Sequence, residues 1–134
     1  MTLDISSFEK AITRLAEGVA RFQQDVTDDQ IRDGMIQRFE FTYELSHKML
    51  KRYLEATSAT PAQYDAMPFQ DLIRSANEQG LLQGDWPDWR KFRDMRSQTS
   101  HTYDEAKAVA VAAVIPDFLA EVIFLRDQLR QRRT

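Results

Sequence analysis

The stretch IRDGMIQRFEFTYELSHKMLKRYLEA, residues 31 to 56, carries apolar side chains at intervals of three and four residues. This spacing puts them on one side of an α-helix and predicts packing along its whole length. A capping-box pattern from Thr27 to Gln30 predicts the start of the helix, which we expect to end near Ala56. The predicted packing positions are Ile31, Met35, Phe39, Thr42, Leu45, Met49 and Tyr53.

A preceding helix is predicted from residues 7 to 24, because the same spacing recurs there. Ser6 and Glu9 have the separation of a capping box and are expected to begin this helix. Its predicted packing positions are Phe8, Ile12, Leu15, Val19, Phe22 and Val26.

Three further helices are predicted in the second half of the chain. Pro68 suits the first residue of a short helix, and Gly80 suits its stop. Asp85 is the expected cap of the next helix, whose inward-facing residues are Trp89, Phe92 and Met95. A long last helix begins near Asp104, and Pro116 should kink or divide it. Its predicted packing positions are Ala106, Val109, Ala113, Val114, Phe118, Val122, Leu125 and Leu129.

These elements predict an all-α fold, since alternation typical of strands is absent. We expect an antiparallel up-and-down bundle of four main helices plus a short extra helix. The length of 134 residues fits one domain, so residues 1–134 are predicted to form a single helical domain.

The composition narrows the possible functions. The chain has no cysteine and only two histidines, so a metal site is not expected, and no cofactor is predicted. Its net charge of −3 argues against coating nucleic acid through a general positive field. We see no signal peptide and no run of about twenty apolar residues that would span a membrane, so we expect a cytoplasmic protein.

The stretch RSQTSHTYDE, residues 96 to 105, brings together side chains that can do chemistry. His101 is of the residue type that exchanges protons near neutral pH, and the planar guanidinium of Arg96 suits phosphate oxygens. Side chains five residues apart on a continuous helix point about 140° away from each other. A shared site therefore requires a break in the helix, a second subunit, or both.

This stretch, together with RFEFTYELSHKML at residues 38 to 50 and the tryptophan-rich start of the fourth helix, resembles the HepT-like branch of the HEPN superfamily. That branch is also known as the nucleotidyltransferase substrate-binding protein family. The resemblance implies a helical homodimer in which both arginine-histidine motifs line one cleft. It further implies a metal-independent endoribonuclease that acts as a toxin on RNA. The antitoxin partner would be a small nucleotidyltransferase that adds AMP to the motif tyrosine.

Carried over to this chain, the resemblance makes Arg96 and His101 the catalytic residues and Tyr103 the residue modified by AMP. Ser97, Glu40 and Glu44 are the supporting residues, and the helical spacing also allows Glu44 to pair with Lys48. A glutamate from the second helix could instead orient His101 across the bundle.

A second interpretation stays open, in which the chain is a non-catalytic adaptor that binds a nucleotidyltransferase and presents a substrate or tyrosine to it. Ser97 favours the adaptor, because it follows the arginine where relatives usually have asparagine or another hydrogen-bonding residue. The intact set of Arg96, His101 and Tyr103 favours the ribonuclease, because an adaptor need not keep it.

Overall fold

The computed structural model describes residues 3–132, and this part of the chain contains helices and turns but no strands. The all-α prediction is therefore confirmed, and α3 is the short extra helix. The α-helices are α1 (Ser6–Gln24), α2 (Asp29–Thr57), α3 (Phe69–Glu78), α4 (Trp86–Gln98) and α5 (Glu105–Arg132). Two short 3-10 turns, at Pro61–Tyr64 and Thr99–His101, lie between them. The first of these turns was not predicted, and its Tyr64 is buried.

The core is built around aromatic side chains from three helices. Phe39 of α2 and Phe118 of α5 meet edge to face with ring centroids 4.9 Å apart. Trp89 and Phe92 of α4 pack on the same Phe118 ring, at 6.0 and 5.3 Å. Edge-to-face contacts between buried rings add to the hydrophobic stabilisation. They hold α4, which carries Arg96, against α2 and α5.

The start of α2 lies where the sequence predicts it, but another residue caps it. Asp28 accepts hydrogen bonds from the backbone N–H groups of Gln30 and Ile31, at 2.9 and 3.1 Å. Thr27, the predicted cap, instead donates to the carboxylate of Asp25. A carboxylate next to the expected threonine competes for the same backbone donors, and here it takes them.

The predicted capping box of α1 is wrong. The backbone N–H and the hydroxyl of Ser6 both donate to Asp4, and Ser6 is already the first helical residue. Val26, predicted to continue the apolar side of α1, lies beyond its end and is 65% exposed.

The boundaries of α3 and α4 follow the prediction closely. Pro68 is the N-cap of α3 rather than its first helical residue, and Gly80 ends this segment with a φ of +77°, which disfavours other residues. Asp85 caps α4 in a capping box with Asp88.

The predicted packing face of α5 is wrong in its first turns. Ala106, Val109 and Ala113 are exposed, while Ala108, Val111, Ala112 and Ile115 are buried. The segment is apolar on nearly all sides, so the spacing does not fix which side faces the core. Pro116 does not divide the helix, which is continuous from Glu105 to Arg132.

The expectation that no stretch could span a membrane needs correction. By length and composition, α5 contains a window of 18 residues apolar enough to do so. Half of that window is buried inside the bundle, and a core helix meets the same criterion. The window is therefore weak evidence for a membrane span.

A buried carboxylate on α5 holds the loop before α4. Glu121 accepts hydrogen bonds from the backbone N–H groups of Gln83 and Gly84, at 2.9 and 2.7 Å, and from the indole N–H of Trp89 at 3.0 Å. A Cβ atom at residue 84 would lie 2.5 Å from this carboxylate, so the approach requires glycine. The start of α4 is thereby fixed to α5.

Candidate active site

The reactive stretch is not one continuous helix. Regular α-helix ends at Gln98, the 3-10 turn covers Thr99–His101, and α5 begins at Glu105. Arg96 therefore lies in the last turn of α4, and His101 lies in the turn that follows. Of the two arrangements that the sequence leaves open, the break in the helix is present.

Two carboxylates of α2 hold the guanidinium of Arg96. Its Nε donates to Glu44 at 3.0 Å, and its Nη1 lies 3.7 Å from Glu40. The Arg96 side chain is 30% exposed, so part of it remains accessible to solvent. Glu44 thus pairs with Arg96 of another helix and not with Lys48, as the spacing within α2 allowed.

Thr99 joins these residues into one hydrogen-bonded network. Its buried hydroxyl accepts from Nη1 of Arg96 at 3.2 Å and lies within hydrogen-bond distance of both a Glu40 carboxylate oxygen and the Arg96 backbone carbonyl. The single hydroxyl proton can be donated to only one of these two acceptors at a time. The network fixes where the Arg96 side chain can point.

Ser97 does not join this network. Its hydroxyl donates to the backbone carbonyl of Asp94 at 2.6 Å, one turn back in the same helix. Ser97 is exposed. Within residues 3–132 its side chain forms no hydrogen bond with Arg96 or His101 that would support its predicted role.

His101 and Tyr103 contact each other at the solvent edge of the turn. Their rings meet at an angle of 74°, with centroids 6.0 Å apart, and Tyr103 is 86% exposed. Within residues 3–132 neither Glu40 nor Glu44 forms a hydrogen bond with His101. The suggestion that a glutamate orients His101 is therefore not met in this structure, because both carboxylates serve Arg96 and Thr99.

Residues 3–131 match the family described as nucleotidyltransferase substrate binding protein like. The chain belongs to this family. The HepT-like resemblance is confirmed by a Haemophilus influenzae protein named probable ribonuclease HepT, which is 49% identical over 110 residues. That alignment covers 82% of this chain and 75% of the relative.

Two solved structures share the fold of this HepT-like chain. One, from Haemophilus influenzae, is described as the fold of a substrate-binding domain of a nucleotidyltransferase. It is 40% identical, with a TM-score of 0.88 over 95% of this chain and 99% of that one. The other, from Thermus thermophilus, is 33% identical, with a TM-score of 0.74 over 92% of this chain and 98% of that one.

In this HepT-like chain, a buried arginine of α2 holds the segment that directly follows Tyr103. Asp104 accepts hydrogen bonds from the backbone N–H groups of Ala106 and Lys107 and so caps α5. Arg32 of α2, whose side chain is only 7% exposed, donates to Glu105 at 2.7 Å. The hydrogen bond to Glu105 is the main reason that the pKa of Arg32 is raised. Tyr103 therefore projects from a segment fixed immediately after it.

Two titratable side chains of α2 lie beside the Arg96 network. Burial raises the pKa of Tyr43 to about 12, and the positive charges of Arg93 and Arg96 oppose this shift. Burial also lowers the pKa of His47, whose ring meets Phe69 at a centroid distance of 4.7 Å. Burial therefore favours the uncharged form of both side chains.

The sequence reasoning missed Thr99 and Arg32. Thr99 lies within the predicted break, and threonine hydroxyls often form hydrogen bonds with nearby backbone groups. This tendency is the only indication in the sequence that Thr99 takes part in the site. Arg32 directly follows the packing position Ile31. Because charged residues usually lie outside the core, nothing in the sequence indicates that Arg32 is buried.

Proposed function

We propose that this protein is a metal-independent endoribonuclease and the toxin of a toxin–antitoxin pair, acting as a homodimer in the cytoplasm. The observation that supports the proposal is the break between α4 and α5, with Arg96 in the last turn of α4 and the partly exposed His101 in the 3-10 turn that follows. The relative named probable ribonuclease HepT supports the same function.

Cleavage of RNA at such a junction needs proton transfer and a positive charge. A base removes the proton of the ribose 2′-hydroxyl, whose oxygen attacks the neighbouring phosphorus to form a 2′,3′-cyclic phosphate. The bond to the 5′-oxygen breaks, and an acid returns a proton to that oxygen. His101 is the proton-transferring residue, and Arg96 stabilises the pentacoordinate phosphate.

A homodimer completes this chemistry, because one histidine cannot be both base and acid within a single step. With the 96–103 segments of two subunits in one cleft, one His101 accepts the proton and the other donates it. Light scattering at micromolar concentration should give the mass of a dimer. A monomer that cleaves RNA would contradict this part of the proposal.

Regulation acts at Tyr103. A partner nucleotidyltransferase with ATP and magnesium removes the phenolic proton, and the phenolate oxygen attacks the α-phosphorus. The bond between the α- and β-phosphates breaks, pyrophosphate leaves, and Tyr103 carries AMP. The added phosphate and purine then compete with RNA for the Arg96 side of the cleft. The 86% exposure of Tyr103 supports its entry into another enzyme's site.

The adaptor remains the second candidate, and it is favoured by the substrate-binding role named both for the family and for the Haemophilus influenzae structure. An adaptor would bind the nucleotidyltransferase through the same exposed segment and cleave nothing. The exposure of Tyr103 suits both functions, whereas only the ribonuclease needs Arg96 to bind a phosphate.

Incubation of the purified protein with total cellular RNA in EDTA separates the two. We expect cleavage by the wild type, with cyclic phosphate ends, and loss of cleavage in His101→Ala with unchanged thermal unfolding. Arg96→Ala should raise the activation free energy by about 2–4 kcal/mol. If the wild type leaves RNA intact yet binds the nucleotidyltransferase, the adaptor is the function.

A further inference from the structure

Arg93 lies on α4 three residues before Arg96, and an aromatic ring holds it in place. Its guanidinium carbon is 4.8 Å from the ring centroid of Trp86, two turns back along the same helix. Trp86 is held in turn by Phe69, whose ring meets it edge to face at 6.0 Å. An arginine stacked on a supported indole loses little further conformational entropy when it binds an anion.

The guanidinium of Arg93 has no carboxylate partner in the part of the chain that the structure describes. Within residues 3–132 it forms no ion pair and no hydrogen bond, and it is exposed. Arg96, in contrast, is paired with Glu44 and lies near Glu40. All five N–H donors of Arg93 are therefore available to an anion from solution, whereas Arg96 uses two of its five in hydrogen bonds to Glu44 and Thr99.

Arg93 and Arg96 also lie on the same face of α4. Residues three apart on a helix lie on neighbouring positions of one face. Arg96 contacts Glu44 of α2 at 3.0 Å, and Arg93 contacts Trp86, whose ring meets Phe69 of α3. The two arginines thus lie on one face of α4, with Arg96 held at α2 and Arg93 held on the side of α3.

The chain has a net charge of −3, so a phosphate chain gains no general attraction to it. Local arginines must then supply the contacts, and an arginine beside aromatic rings is a common arrangement for a nucleic acid strand. An RNA strand that passes Arg96 toward α3 would meet Arg93 next.

We propose that Arg93, stacked on Trp86, binds a phosphate of the RNA strand beside the phosphate held at Arg96. This inference rests on the proposed ribonuclease function. Arg93 acts in binding and does not touch the reacting atoms.

The test compares Arg93→Gln with Lys91→Gln. Lys91 is exposed on the same helix and carries the same charge, but it points about 160° away from Arg93 on an α-helix. Binding of a fluorescent RNA with 2′-O-methyl riboses, which cannot be cleaved, is measured at several salt concentrations. Thermal unfolding of each variant shows that the fold is kept.

We expect Arg93→Gln to weaken RNA binding about tenfold and to reduce the slope of log affinity against log salt by about one. Lys91→Gln should change neither quantity. On cleavable RNA, Arg93→Gln should raise KM and leave kcat nearly unchanged.

Equal effects of the two substitutions would overturn the inference, since a general charge effect would then explain them. It is also overturned if Arg93→Gln binds RNA normally but no longer binds the partner nucleotidyltransferase. Arg93 would then contribute to a protein-binding surface and not to an RNA-binding one. A wild type that binds RNA through Arg93 but does not cleave it would overturn the ribonuclease proposal alone.

Discussion

The Nε atom of Arg96 lies 3.0 Å from a carboxylate oxygen of Glu44, a residue 52 positions earlier in the chain. The pair joins the end of α4 to the middle of α2 at the candidate active site. Both side chains are partly exposed, so we expect the pair to contribute only about 0.2–1 kcal/mol to stability. We expect its main effect to be on the orientation of Arg96, which we propose binds phosphate, and on the net charge around it.

Substitutions of Glu44 should separate these two effects. Glu44→Gln keeps an oxygen that accepts from Arg96 but removes the negative charge, so RNA should bind more tightly. Glu44→Ala removes the acceptor, and kcat should fall about tenfold or more because the guanidinium is no longer fixed. Steady-state cleavage of a short RNA measures both. Identical behaviour of the two variants would show that Glu44 does not orient Arg96.

The hydroxyl of Thr99 should matter for cleavage and little for folding. Thr99→Val keeps the shape but removes the oxygen that accepts from Arg96, so we expect kcat to fall about tenfold. Thr99→Ser restores the hydroxyl and should recover most of that loss. Cleavage kinetics and thermal unfolding are compared for both. A serine variant as slow as the valine variant would point to packing of the methyl group instead.

The ion pair behind Tyr103 should stabilise the start of α5. Glu105→Ala leaves the buried Arg32 with weaker partners, since Asp33 lies 3.2 Å and Asp29 3.5 Å away. We expect the free energy of unfolding to fall by about 1 kcal/mol in urea titrations. Glu17→Ala, on the exposed side of α1, is the control and should change it by less than about 0.5 kcal/mol. Equal losses in both variants would rule out a specific contribution of the pair.

His47 should make stability depend on pH. Burial lowers its pKa in the folded state, against the opposing charge of Glu44 and with the help of Lys51. As pH falls below about 6.5, the unfolded chain takes up the proton first, so the free energy of unfolding decreases toward the lower folded-state pKa. Urea titrations near pH 7.5 and 5.5 should show a smaller decrease in His47→Gln. A decrease as large as in the wild type would assign the effect to other groups.

Tyr103 is the expected point of neutralisation. Tyr103→Phe should fold and cleave RNA normally, because the hydroxyl forms no hydrogen bond within residues 3–132, yet it should escape silencing by the partner with ATP. Intact-mass spectrometry after incubation with that partner should show a gain of AMP on the wild type alone. A gain that persists in the phenylalanine variant would place the modification on another residue.

The sequence predicts the boundaries of the helices better than the faces with which they pack on one another. The boundaries of α2 and α4 follow from local signals such as Asp85 and the spacing of apolar residues, which need no knowledge of the rest of the fold. The side of α5 that faces the core was wrong at Val109, because neighbouring alanines and valines allow several packing faces. Periodicity carries little information where a helix is apolar on nearly all sides.

The candidate site was predictable as a set of residues and not as a network. Arg96, His101 and Tyr103 stand out through their residue types and spacing, and the break between α4 and α5 was one of the arrangements foreseen. The sequence did not identify Arg96 as the partner of Glu44. Within α2, the helical spacing makes Lys48 an equally suitable cation for an ion pair with Glu44. Only the packing of α4 on α2 decides in favour of Arg96.

The exposure of Tyr103 has a consequence for how long the protein persists. A side chain that is 86% exposed contributes almost nothing to packing, so a group attached to it leaves the free energy of unfolding nearly unchanged. Cellular proteases act mainly on unfolded molecules, and their access depends on that free energy. Modified and unmodified molecules would therefore share one lifetime. Modification at this position would store the protein in silent form rather than mark it for removal.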